Sequence, residues 1–173
     1  LAVIILVAIG LFFLRDDEGT NVQTNSNNPP AISVPSGIQS DFPLNDFSNV
    51  SVDNFDDVVN GGPGRDGIPA VGDPQFVSLS ESETADTTRG VLLEIDGEKR
   101  FYPYNILVWH EVVNDEIGGT NVSVTFCPLC GSAIVYNRDV NGETLDFGVS
   151  GLLRESNMIM YDRETETFWQ QST

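Results

Sequence analysis

A chain of 173 residues with 40% hydrophobic content can bury one core and carry appendages, but is too short for two domains of ordinary size. Its 26 acidic and 8 basic side chains leave a formal charge of -18, which repels phosphates and anionic membrane surfaces. Nucleic acid is therefore excluded as a partner, and cations are the natural counterparts. Lys99 is the only lysine, an acid-rich balance that serves solubility first and also suits a salty environment.

The chain opens on Leu1 to Leu14, LAVIILVAIGLFFL, with no charged residue. Fourteen helical residues span roughly 21 Å against a hydrocarbon core of about 30 Å. With no initiator methionine, the run reads as the remnant of a longer N-terminal membrane helix. No small-residue cleavage site and no cysteine placed for lipidation follow it, which favours an uncleaved anchor. The flank Arg15-Asp16-Asp17-Glu18 is net acidic and belongs outside by the positive-inside rule. The expectation is a membrane-anchored protein with its domain on the extracytoplasmic side.

Residues 15–60 are rich in Asn, Ser, Thr and Pro and show no sustained apolar period, so they read as a flexible polar tether. Asp53-Asn54-Phe55-Asp56-Asp57 lacks the Gly and the distal Glu of a calcium-binding EF-hand loop and reads as a solvated acidic segment. Asn49-Val50-Ser51 and Asn121-Val122-Ser123 fit the N-glycosylation pattern, which is common by chance.

Residues 61–173 carry the pattern of an α+β, mainly β domain of antiparallel hairpins with one short helix. Val91 to Ile95, Asp96-Gly97 and Glu98 to Tyr102 read as a hairpin whose register sets Glu94 opposite Lys99 and Leu92 opposite Phe101. A second hairpin around Asn141-Gly142 would pair Tyr136 with Phe147, Ile134 with Val149 and Asn137 with Asp146. Between them Asn105 is placed to cap a helix through Val113, with Ile106, Trp109, His110 and Val113 on one apolar face. Gly118-Gly119 then turns into a strand from Asn121 to Phe126.

That strand leads to Cys127-Pro128-Leu129-Cys130-Gly131, which holds both cysteines, and His110 is the only histidine. Two thiols at C-x-x-C spacing plus one imidazole make a soft ligand set or a redox pair. A structural zinc ribbon needs a second C-x-x-C that this chain lacks. A site of His110, Cys127 and Cys130 leaves its fourth position to water, to Glu111 or Asp115, or to Met158 or Met160, and such donors favour copper before zinc. Core packing is the simpler role for the methionines. The competing role is thiol-disulfide exchange, fitting for an exported domain. Ala133 to Tyr136 read as strand, however, so the helix N-terminus that lowers a thiol pKa in thioredoxin-like folds is missing. Inert thiols in a non-catalytic cell-envelope interaction module are the third reading. Ser150 lacks the G-x-S-x-G frame of a hydrolase, and Trp109 and Trp169 read as core or edge aromatics.

Asp66-Gly67-Ile68-Pro69-Ala70, Trp109 to Asp115, Phe126 to Ala133, Phe147 to Gly151 and Met160-Tyr161-Asp162-Arg163 together resemble the domain-of-unknown-function family 3179. The resemblance runs from about Gly61 to the end and implies no established activity. In that family more domain follows the W-x-Q segment, here Trp169-Gln170-Gln171. The resemblance thus implies further sequence past Thr173, and further donors with it.

Overall fold

The computed structural model describes residues 33–47 and 55–172. In chain order they form α1 (Ser36–Asp41), β1 (Val58–Asn60), β2 (Val71–Gly72), β3 (Gly90–Ile95), β4 (Glu98–Pro103), α2 (Tyr104–His110) and β5 (Val112–Ile117). Then follow β6 (Thr120–Cys127), β7 (Ser132–Asn137), β8 (Asp139–Val140), β9 (Glu143–Thr144), β10 (Phe147–Arg154), β11 (Asn157–Asp162) and β12 (Phe168–Gln170).

Two four-stranded sheets form the body, one ordered β1-β10-β11-β12 and the other β2-β5-β6-β7. All their pairings are antiparallel except β2 with β5. The two-residue period of β6 sets the layers. Val122, Val124 and Phe126 face a cluster with Leu93, Tyr102 and Leu107, supplied by the β3–β4 ribbon and α2. On its opposite face Cys127 joins Val112, Phe147, Val149, Met158 and Met160, so the β10–β11 strands close over the cysteine. The far side of that second sheet is covered by Phe42, which packs with Leu152, Ile159 and Tyr161.

The mainly β fold, its antiparallel sheets and the short helix α2 agree with expectation, as does the β3–β4 register with Glu94 opposite Lys99 and Leu92 opposite Phe101. Around Asn141-Gly142 the turn is present but joins only the short β8 and β9. Tyr136 pairs with Ser123 and Phe147 with Asp162, because the flanking strands go to different sheets. Counting outward from a turn cannot show where two strands part.

The helix also differs from expectation. It follows Pro103 without a side-chain cap and ends at His110, where Glu111 takes φ 60. Val112 and Val113 join β5 instead and pair with Thr125 and Val124, as suits β-branched residues. The anticipated apolar face looks outward: Ile106 is 49% and Trp109 74% exposed, while Leu107 is the buried residue of α2.

Part of the stretch expected to be a tether packs on the domain. Phe42 and Phe55 are buried, Phe47 and Phe55 both lie against Phe168, and β1 pairs with β10. These aromatics are spaced too irregularly to give a period. The apolar run Leu1 to Leu14 and the first two residues of the acidic segment 53–57 lie outside the described residues. Among the described residues no helix is long and apolar enough to cross a membrane. Ser123 is fully buried and the Asn121 amide is bonded to Asp139 and Thr144, so the folded domain does not present that glycosylation pattern.

Candidate functional site

Cys127 ends β6 opposite Ser132, which starts β7, so Pro128 to Gly131 form the loop of this hairpin. Inward alternation buries Cys127 in the core between the sheets, while the loop leaves Cys130 exposed. Both are free thiols. Against them lies the tip of the β10–β11 hairpin: the Cys127 thiol donates to the Ser156 carbonyl at 3.7 Å, and Asn157 Nδ2 donates to Cys130 Sγ at 3.3 Å. The Ser132 hydroxyl is 2.9 Å from the same sulfur.

Behind the thiol is a polar core centred on Gln171, which is fully buried. Its Oε1 accepts from Ser132 Oγ at 2.7 Å and from Asn157 Nδ2 at 2.9 Å. Its Nε2 donates to Thr125 Oγ1 at 3.0 Å and to the Ser132 carbonyl at 3.2 Å. The Tyr136 hydroxyl donates to the Gln171 carbonyl. The side chains that touch Cys130 are thus oriented by a fully bonded amide, as a buried polar group requires.

Burial pushes the Cys127 thiol up, and the adjacent Cys130 sulfur adds to this. Partial burial also opposes ionisation of Cys130. Hydrogen bonds from Ser132, Cys127 and Asn157 outweigh that and bring it down to about 7. At neutral pH a substantial part of Cys130 is therefore thiolate, the nucleophilic form, whereas Cys127 holds its proton. The stabilisation expected of a helix N-terminus comes here from side-chain donors, and it acts on the second cysteine.

His110 is half-buried at the end of α2, with Nδ1 2.8 Å from the Pro69 carbonyl. Among the described residues no three His, Cys, Asp or Glu side chains gather to hold a metal, so His110, Cys127 and Cys130 do not form such a group. Asp115 is occupied by Arg100 and the Tyr102 hydroxyl. Met158 and Met160 share a buried face in the cluster around Cys127.

A family model described as "Protein of unknown function (DUF3179)" matches residues 65–173. The chain belongs to the DUF3179 family. The matched span holds both cysteines, Asn157 and Gln171, and it begins after β1. No curated protein and no solved structure matches the chain.

The DUF3179 span carries a second polar constellation, at Arg65 and Asp66 of the Gly/Pro-rich turn. Asp66 accepts two hydrogen bonds from Arg163, at 2.7 and 2.8 Å, and one from the Tyr161 hydroxyl. Burial opposes its ionisation, but the Arg163 and Tyr161 bonds hold it below the usual carboxylate range. Arg65 pairs with Glu166 at 2.6 Å and lies over the Tyr161 ring. These groups satisfy one another and clamp the turn to β11. Asn157, Ser132 and Gln171 are the site residues that sequence reasoning missed, although the W-x-Q segment of the family resemblance ends on Gln171.

Proposed function

We propose that Cys127 and Cys130 perform thiol-disulfide exchange, with Cys130 attacking and Cys127 resolving. The observation that carries this reading is the asymmetry of the pair: an exposed sulfur that accepts from Asn157 and lies against the Ser132 hydroxyl, beside a buried protonated one. The Cys130 thiolate attacks one sulfur of a substrate disulfide, and the bond it forms replaces the one that breaks. The first substrate thiolate leaves and takes a proton from water. Cys127 then gives its proton to solvent and attacks Cys130 Sγ, which releases the second thiolate. Two electrons pass from the protein dithiol to the substrate disulfide, and the reverse sequence oxidises a dithiol. The acidic flank after the apolar N-terminal run supports a membrane-anchored, extracytoplasmic setting, where disulfide substrates occur.

Trapping tests the roles. Cys127→Ser removes the resolving thiol and should accumulate a mixed disulfide on Cys130, seen as an added mass under non-reducing conditions. Cys130→Ser should accumulate none. The reverse pattern overturns the assignment of roles, and no adduct in either variant removes exchange as the function.

Capture of a soft metal by the same sulfurs, copper before zinc, is the second reading. The support for it is the Nδ1 contact of His110, since among the described residues no hydrogen bond engages Nε2, although the ring would have to move to join the two sulfurs. Metal analysis of His110→Ala tests it: loss of bound metal by tenfold or more supports His110 as a donor, and unchanged content excludes it.

A further inference from the structure

A pocket of about 60 Å³ opens beside the cysteine loop, and Ile68, Leu129, Val149, Leu153 and Met158 give it apolar walls. Its one titratable lining residue is Glu111. Among the described residues no hydrogen bond or ion pair engages that carboxylate, and burial alone pushes it above the usual range. Glu111 also takes φ 60 with ψ -34, outside the left-handed basin that a non-glycine residue tolerates, and such strain clusters at functional sites. Two of the lining residues connect the pocket to the thiols. Leu129 sits between the two cysteines, and the backbone N–H of Met158 bonds the Cys127 sulfur.

An unpartnered carboxylate lining an apolar pocket is complementary to a cation on a short aliphatic arm, because the walls take the methylenes and the carboxylate takes the charge. The volume exceeds that of a single water several-fold, which suits an arm of a few heavy atoms. The formal charge of -18 draws cations to the surface in general, and Glu111 places one of its charges in the pocket beside the cysteine loop.

We propose that this pocket selects disulfides carrying an alkylammonium arm next to the reacting sulfur, with the ammonium on Glu111 and the methylenes along Val149 and Met158. The inference rests on the exchange reading above and names its substrate class. Cys130 attacks the S–S bond, the aminothiolate leaves and is protonated by water, and Cys127 releases the second aminothiol while the protein dithiol becomes a disulfide. The arm belongs either to a small aminothiol or to a lysine beside a cystine in a polypeptide.

The test measures loss of protein thiols at about 0.15 M salt. Cystamine is compared with neutral hydroxyethyl disulfide, and a lysine-flanked cystine peptide with its glutamine counterpart. At least one cationic member should react about tenfold faster than its neutral partner, and Glu111→Gln should remove most of that ratio. Glu143→Gln, the same charge change on exposed β9, should leave the ratio in place. The pair showing the larger Glu111-dependent ratio identifies the source of the arm. In the unmutated protein each ratio should fall as acid protonates Glu111, a readout independent of how the variant folds, because the thiolate fraction of Cys130 cancels. Equal rates within both pairs, or a preference that survives both Glu111→Gln and acid, overturn the subsite and leave exchange standing. Failure to react with any of the four disulfides removes the exchange reading and the subsite with it.

Discussion

Asn157 holds its side-chain nitrogen 3.3 Å from the Cys130 sulfur and 2.9 Å from Gln171 Oε1. One amide group spends its two hydrogens on a thiol and on the residue after β12, so the reactivity of the loop depends on the seating of a distant part of the chain.

Asn157→Ala should therefore raise the Cys130 pKa. A hydrogen bond to a charged group is worth about 1.5–3 kcal/mol and one pKa unit about 1.4 kcal/mol, so a rise of about one unit is expected. The pH profile of Cys130 alkylation reads it: the midpoint should lie at about 7 in the unmutated protein and move upward in the variant. Since the folded pKa lies below that of an ordinary thiol, the stability tied to the thiolate is full above the ordinary value. It is lost as pH falls through the folded one. That pH dependence should flatten in Asn157→Ala.

Gln171→Ala should destabilise the fold by about 3 kcal/mol, since Thr125, Ser132 and Asn157 all lose a buried partner. Gln170→Ala is the control, because among the described residues that half-buried side chain bonds only Arg154, and it should cost under about 1 kcal/mol. Urea denaturation separates the two. A fold as stable in Gln171→Ala as in Gln170→Ala would mean that the network orients Cys130 without holding the sheets together.

Phe42→Ala tests whether the segment before β1 belongs to the domain. Phe42 stacks edge-on against Tyr161 at 5.1 Å and Phe168 at 4.8 Å, with the Arg65 guanidinium over its ring. Truncating a buried aromatic costs about 3–5 kcal/mol. If the segment were a free tether, the melting temperature would not move and proteolysis would cut near residue 42 in both proteins.

What was legible in the sequence was local. Asp96-Gly97 announces its hairpin because the turn and both strands are contiguous, and the C-x-x-C spacing marks the reactive loop without any knowledge of the fold. What was not legible is set by partners far along the chain. The helix that begins at Tyr104 stops at Glu111 because Val112 gains a strand partner in Thr125, and no periodicity of α2 contains that information. Likewise the thiolate of Cys130 is stabilised by Asn157, a residue with no spacing relation to the cysteines, which only the closure of β10 and β11 over Cys127 brings near.

Gly151 shows how that closure is held. The β10–β11 register slips between Val149 and Leu152, and Gly151 in the bulge takes φ 76. A Cβ there would lie 2.5 Å from the Gly64 carbonyl oxygen, which is backbone and cannot swing away. Gly142 has a similar φ of 86, yet a Cβ there would meet nothing within 4 Å. Gly142→Ala should thus cost about 1–2 kcal/mol from conformation alone. Gly151→Ala should cost several kcal/mol and also raise the alkylation midpoint of Cys130, because the strand that must shift leads directly to Ser156 and Asn157. Equal losses in the two variants would assign the whole effect to backbone conformation and detach the bulge from the thiol.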